Sequence, residues 1–279
     1  MIGLRLLLAL VIAPIFGFAA GSTPAPLRWV VCYSDKPRPE EFREYDLVVL
    51  DSQSHPPLAR LKRPGRTLLA YLSLGEVSKE RPYFMEAKRE GILLGENPNW
   101  AGSYFVDLRS RLWLRRVLEQ LVPPILASGF DGLFLDTLDD PVELERVDPA
   151  GHRGMTAAAV ELVRGLRLSF PSSVLMMNRG YGLLPEVAPL IDCLLGESLY
   201  STYDSGRRKY LRVSAADYRY QLSLLRQAKR TNPALNLFSL DYWDPGDPRE
   251  IRRIYAVERA NGLIPYVSTP ALDRIVRER

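Results

Sequence analysis

Short apolar runs recur along the chain, separated by amphipathic or polar segments. Eight of them have the length and composition of strands: Arg28–Ser34 (RWVVCYS), Leu47–Ser52 (LVVLDS), Thr67–Leu74 (TLLAYLSL), Phe130–Asp136 (FDGLFLD), Ser173–Arg179 (SVLMMNR), Asp192–Ser198 (DCLLGES), Asn236–Trp243 (NLFSLDYW) and Leu263–Thr269 (LIPYVST). Most are apolar nearly throughout, the mark of strands covered on both faces, as in a parallel sheet. The eighth carries Pro265, which weakens it as a strand. The intervening segments read as helices. Ser110 opens one with Leu114, Val117, Leu118, Leu121 and Ile125 on a single face, closed by Gly129. Met155, Ala159, Leu162, Val163, Leu166 and Phe170 line a second. Ser214 to Asp217 resembles a capping box before Tyr218, Leu222 and Leu225, and Asp247-Pro248-Arg249-Glu250 combines an N-cap, a first-turn proline and an acid.

Eight strands alternating with helices in roughly 250 residues predict an α/β fold, a (β/α)8 TIM-type barrel in a single domain. The barrel domain spans 22–279, with an insert around 75–110 that is rich in Pro, Gly, Asn and charge and holds a further candidate strand at Tyr104–Arg109. The alternative, an open doubly wound sheet of the dinucleotide-binding kind, lacks its Gly-rich turn after the first strand.

The first residues stand apart. Arg5 precedes an apolar run from Leu6 to Phe18, followed by Ala19, Ala20, Gly21 and the turn-prone Ser22-Thr23-Pro24, a secretory signal pattern over 1–21. The run is shorter than the roughly 20 residues of a spanning helix, and no second run of that length follows. A secreted or periplasmic protein is expected, membrane-anchored if the signal stays uncleaved. The formal charge of +4 on 279 residues is too small to point to nucleic acid, and the basic residues sit mostly at helical spacings of solvated faces. Cys32 and Cys193 are expected as free thiols, because strand phase places them on different layers of non-neighbouring strands.

The chemistry gathers at one end of the strands. Read at their C-terminal ends, where this barrel builds its sites, they offer Tyr33 and Ser34, Asp51, Tyr71 with Glu76, Asp136, Asn178, Glu197, Asp241 with Tyr242, and Tyr266 with Ser268. Carboxylates and amides bind sugar hydroxyls, and aromatic faces receive sugar rings. Asp136 ends an apolar strand, where an unpaired buried charge costs on the order of several kcal/mol, so it is either paired or employed. Glu197, two strands on, can meet it across the mouth. Two carboxylates flanking one bond are the minimum for glycoside hydrolysis, and either one can instead be a salt-bridged structural group. Asp131 lies at the opposite strand end and reads as structural; Asp139 and Asp140 read as cleft wall. A metal reading of these aspartates lacks a second acidic motif or a His cluster, since the only histidines are His55 and His152 in loops. No metal or cofactor is expected.

Taken together, Ala70-Tyr71-Leu72-Ser73-Leu74-Gly75-Glu76, the run Phe130 to Asp139, Met177-Asn178-Arg179-Gly180 and Gly196-Glu197-Ser198 resemble glycoside hydrolase family 114, the endo-α-1,4-polygalactosaminidases, over about residues 28 to 270. The resemblance implies a (β/α)8 barrel that cleaves α-1,4-linked galactosamine-containing polysaccharide, with Asp136 as nucleophile and Glu197 as general acid/base. It implies Tyr71, Glu76, Asn178 and Asp241 as sugar-holding residues. Tyr33, Asp51, Asp139, Tyr200, Tyr242 and Tyr266 complete the expected binding set. A non-catalytic carbohydrate-binding barrel and a hydrolase of a different glycan are the alternatives, and the oligomeric state stays open.

Overall fold

The computed structural model describes residues 27–278; the expected signal at 1–21 lies outside them. In chain order the strands are β1 (Trp29–Cys32), β2 (Leu47–Asp51), β3 (Thr67–Ser73), β4 (Glu76–Ser78), β5 (Leu93–Glu96), β6 (Ser103–Val106), β7 (Gly132–Asp136), β8 (Val174–Asn178), β9 (Cys193–Glu197), β10 (Ser201–Asp204), β11 (Lys209–Arg212), β12 (Asn236–Tyr242) and β13 (Ile264–Ser268). The helices are α1 (Leu58–Leu61), α2 (Phe84–Arg89), α3 (Arg111–Arg115), α4 (Val122–Ala127), α5 (Asp140–Val147), α6 (Met155–Ser169), α7 (Leu184–Val187), α8 (Ala215–Thr231) and α9 (Pro248–Ala260).

The eight expected strands make one parallel sheet in the order β1-β2-β3-β7-β8-β9-β12-β13. It curls into a nearly closed (β/α)8 barrel. At the seam between first and last strands the Trp29 indole N–H donates to the Ile264 carbonyl at 2.9 Å, and the Tyr33 N–H donates to Leu272 at 2.7 Å. Trp29 meets Phe238 edge to face at 5.5 Å; each such buried ring contributes on the order of 1.5–3 kcal/mol by leaving water. Pro265 lies on β13, beside this seam, where a missing N–H costs least.

The bottom of the barrel is tied by one repeated device. Asp46, Asp131 and Asp192 each stand one residue before a strand, and each accepts a backbone N–H from the start of the neighbouring one: Arg28 at 3.1 Å, Leu68 at 2.9 Å and Leu175 at 2.8 Å. Each also faces a cation, Arg63, Lys62 and Arg167 respectively. Asp131 is structural, as its place in the strand implied.

Three details differ from the pattern. The segment after Ser110 is not one helix: α3 passes into a π-helical turn over Arg116–Leu121 before α4. Pro123 and Pro124 cannot donate to the carbonyls four residues back, and the backbone widens ahead of them. The insert is a small antiparallel sheet, β4-β6-β5, in which the expected strand at 104–109 is β6. The stretch between the sixth and seventh expected strands carries a further β10–β11 hairpin. Both cysteines are buried and unpaired. Among the described residues no helix is long and apolar enough to cross a membrane.

Gly132 opens the strand that ends on Asp136. A Cβ there would lie 2.0 Å from the Val174 carbonyl oxygen on β8, and backbone cannot yield as a side chain does. Gly132→Ala is expected to destabilise the fold by about 1–3 kcal/mol or more, the range for overpacking, measured as a lowered midpoint in thermal or urea unfolding.

Candidate active site

The site is built on three adjacent strands, β7, β8 and β9, with help from those on either side. Leu135 pairs with Met177, so Asp136 and Asn178 follow at the same level. On β9 the register steps: Asn178 lies opposite Leu195, two residues short of Glu197. Glu197 in turn lies opposite Leu240, two short of Tyr242. This stagger is what closing a barrel requires, and it makes each side chain reach along the wall to the next.

Asn178 spans the gap. Its amide nitrogen donates to Asp136 Oδ1 at 2.9 Å and to Glu197 Oε2 at 2.6 Å. Those two oxygens are therefore no farther apart than the two bonds laid end to end. The Tyr242 hydroxyl donates to Glu197 Oε1 at 2.5 Å, and the Tyr71 hydroxyl bonds Asp136. Tyr33 leans on Tyr71, ring centroids 4.8 Å apart, and faces both carboxylates. Asp136 and Glu197 remain partly exposed, whereas Asn178 and Tyr242 are buried behind them. A floor of two carboxylates held by neutral donors is thus open to the mouth.

The residue after each of the three site residues is left-handed and not glycine: Thr137 at φ 63°, Arg179 at φ 51° and Ser198 at φ 54°. Each stores strain on the order of 1–3 kcal/mol, and each is held. The Thr137 hydroxyl accepts the Gly75 N–H at 2.8 Å and lies 2.9 Å from the Ser73 hydroxyl; the Arg179 and Ser198 N–H groups donate to Leu195 and Leu240. Gly75 is required there because a Cβ would lie 2.1 Å from the Thr137 carbonyl oxygen.

Electrostatics act on Glu197. Burial, then the Asp136 charge, pushes the Glu197 carboxyl above the usual range, opposed by its bonds from Tyr242 and Asn178 and by Arg179. Asp140 is pushed up to about 8 by burial and by Glu76 beside it. Glu76 is buried and accepts bonds from Asn97 and Ser103, both supplied by the insert. Asp139 is divided between the Gly180 N–H and Arg179, and Asp51 is paired with Arg81 at 2.8 Å.

The structure is similar to the glycoside hydrolase domain of PelA from Pseudomonas aeruginosa: 27% identity over 91% of this chain and 99% of that one, with a TM-score of 0.79. The family model for glycoside-hydrolase family GH114 matches residues 17–279. The chain belongs to family GH114. Its GH114 barrel is also similar in fold to Aspergillus fumigatus Ega3, solved with galactosamine, at a TM-score of 0.66 and 14% identity over 94% of this chain and 99% of that one. An uncharacterized protein of Deinococcus radiodurans is 29% identical over 78% of this chain and 68% of its own length. The GH114 chain is a glycoside hydrolase, which sets aside the non-catalytic barrel.

Of the expected GH114 site residues, Asp136, Glu197, Asn178, Tyr33, Tyr71 and Tyr242 converge. Glu76, Asp139 and Asp51 stand around them, two of the three neutralised by arginines. Asp241 and Tyr266 do not reach the mouth. Both are fully buried: Asp241 accepts the Tyr200 and Ser201 N–H groups at 2.8 and 2.7 Å, and Tyr266 packs on Trp29 and accepts the Val276 N–H at 3.1 Å. Strand alternation is the reason for Asp241, since an inward Tyr242 turns its neighbour outward. Tyr200 stacks edge-on against Tyr218 beneath Arg212 and belongs to the wall. Sequence reading missed Arg179, which faces both Asp139 and Glu197, and the insert donors Asn97 and Ser103; nothing in their local pattern marked them.

Tyr242→Phe removes a bond that favours the charged form of Glu197. The Glu197 carboxyl then rises further, and the alkaline limb of kcat/KM moves up by roughly one pH unit. A pH–rate profile of the variant against the parent checks this; a limb that stays or moves down would contradict the assignment.

Proposed function

We propose that the chain is a secreted, endo-acting hydrolase of α-1,4-linked galactosamine-containing polysaccharide, working by a retaining two-carboxylate mechanism. The observation that carries the mechanism is the Asn178 bridge. A single amide nitrogen within 2.9 and 2.6 Å of both carboxylates draws their nearest oxygens within the ~5–5.5 Å of retaining pairs and short of the roughly 6.5–9.5 Å that leaves room for an inverting water.

Roles follow from the surroundings. Glu197, raised by burial and by Asp136, keeps a proton at higher pH than an ordinary glutamate and gives it to the departing glycosidic oxygen. Asp136, held by Asn178 and Tyr71, attacks the anomeric carbon and forms a glycosyl ester. Glu197, now ionised, takes a proton from water, which opens the ester and regenerates Asp136. Asn178, bonded to both carboxylates, keeps their spacing through the two steps.

The substrate class rests on the mouth and on the family. Among the described residues Asp136, Glu197, Glu76 and Asp140 form no salt bridge, whereas Asp51 and Asp139 do; Arg179, paired with Asp139, is the cation that also acts on Glu197. An acidic floor so little compensated favours a cationic, partly deacetylated amino-sugar chain over a neutral or acidic one. The signal pattern at 1–21 is the basis for export.

Purified protein is expected to release oligosaccharides from a partly deacetylated α-1,4-galactosamine polymer, with KM rising as salt is added. Asp136→Asn and Glu197→Gln are each expected to lower kcat at least ~10²-fold to 10⁴-fold with the fold intact by circular dichroism. Proton NMR of the first product should show the α anomer. Release of the β anomer would overturn retention, and turnover confined to another glycan in a substrate panel would overturn the substrate.

A further inference from the structure

The molecule holds a second pair of buried carboxyls that the proposed chemistry does not use. Asp241 on β12 and Glu258 on α9 are both fully inaccessible to solvent. They lie outside the barrel wall, between the sheet and its helices. Asp241 Oδ1 accepts the Tyr200 and Ser201 N–H groups and is 3.4 Å from the Ser201 hydroxyl. Among the described residues, Asp241 Oδ2 and both Glu258 oxygens have no hydrogen-bond partner, and no salt bridge reaches either residue. The titratable groups facing the pair are Tyr218 from α8, Glu197 from β9 and Tyr242 from their own wall of the barrel; the Arg226 cation acts on Tyr218.

Two ionised carboxylates cannot coexist there. Each would be desolvated beside a like charge with no cation to offset it. One proton between them would remove the conflict: Glu258 as the neutral acid could supply the donor that Asp241 Oδ2 lacks, while Asp241 as the anion keeps its two backbone bonds. The Tyr218 hydroxyl, itself accepting from Asn261 at 3.0 Å, turns toward the remaining Glu258 oxygen.

What Asp241 grips is the turn that leaves Glu197. Ser198, strained at φ 54°, separates Glu197 from the Leu199–Ser201 segment, and the two N–H groups bound by Asp241 are the third and fourth residues after the acid. The residue after Asp241 is Tyr242, whose hydroxyl holds Glu197 from the other side. We propose that Asp241 and Glu258 share one proton and together act as positioning residues for Glu197. The proposal rests on Glu197 being the acid/base. Burial pushes Glu258 up to about 9 and Asp241 up to about 7, each pushed further by a neighbouring carboxylate, so the shared proton is present at neutral pH and lost as pH rises through about 9. Carboxyls raised in the folded state contribute stability that is present below their unfolded value and disappears over that same rise.

The test uses amide hydrogen exchange on the full-length protein, read on the peptide containing Tyr200 and Ser201 and corrected for intrinsic rates. In the parent, protection of these two amides is expected to fall as pH passes about 9. In Glu258→Gln, whose amide donates to Asp241 at any pH, protection is expected to persist. Glu258→Leu leaves Asp241 without a donor and is expected to lower kcat roughly tenfold to a hundredfold, the cost of a slightly misplaced catalytic group, with KM within about twofold; Glu258→Gln should restore it. Exchange that ignores pH in the parent, or equal kcat in the Leu and Gln variants, overturns the proposal. The exchange arm needs no substrate, so an inactive parent would count against the glycosidase reading and leave the exchange result to decide this one. If the Leu variant fails to fold, the parent and Gln variant decide by exchange alone.

Discussion

One amide holds the acidic floor of the barrel mouth together. Asn178 donates from a single nitrogen to Asp136 and Glu197, and that contact exists only if three strands are in register. A slip of one residue in β8 would turn Asn178 outward and leave two carboxylates facing each other without a donor. The strained residues after Asp136, Asn178 and Glu197 belong to the same constraint, since they turn the chain away at the point where the side chains must stay. Such strain persists only where the surroundings over-determine it, and here the Gly75 N–H donated to Thr137 and the Leu195 and Leu240 carbonyls accepting from Arg179 and Ser198 do so.

The two ends of the barrel use the same residue type for opposite purposes. At the bottom, Asp46, Asp131 and Asp192 are matched by cations and by neighbouring N–H groups, and they cost little because each is fully satisfied. At the top, Asp136, Glu197, Glu76 and Asp140 are held by neutral donors or by each other, with no salt bridge among the described residues. Burial without an ion pair is costly, and it raises the carboxyls of Glu197 and Asp140. The insert serves this end as well: Asn97 and Ser103 reach back from it to fix Glu76.

The fold was legible because its signals are local and repeated. Near-continuous apolar runs, caps such as Ser214 with Asp217 and Asp247 with Glu250, and strand-end polarity are each properties of a few adjacent residues. The paired prolines that widen the helix after Ser110 were visible too, but a face of five apolar residues masked them. Asp241 and Tyr266 went astray for a different reason. Being at a strand's C-terminal end states a height along the barrel, and only side-chain direction states whether that height is the cleft or the layer behind it.

The sequence by itself determined the number, order and polarity of the eight barrel strands, and with them which acids sit at the top and which at the bottom, because periodicity and strand ends are written in neighbouring residues. The tertiary structure alone decided the rest: that the sheet steps by two residues from Asn178 to Glu197 and again to Tyr242, that Arg81 and Arg179 neutralise part of the acidic mouth, and that Asp241 and Glu258 are both buried behind the wall. Those depend on the stagger of a closing barrel and on distances between residues far apart in the chain, which no local pattern encodes.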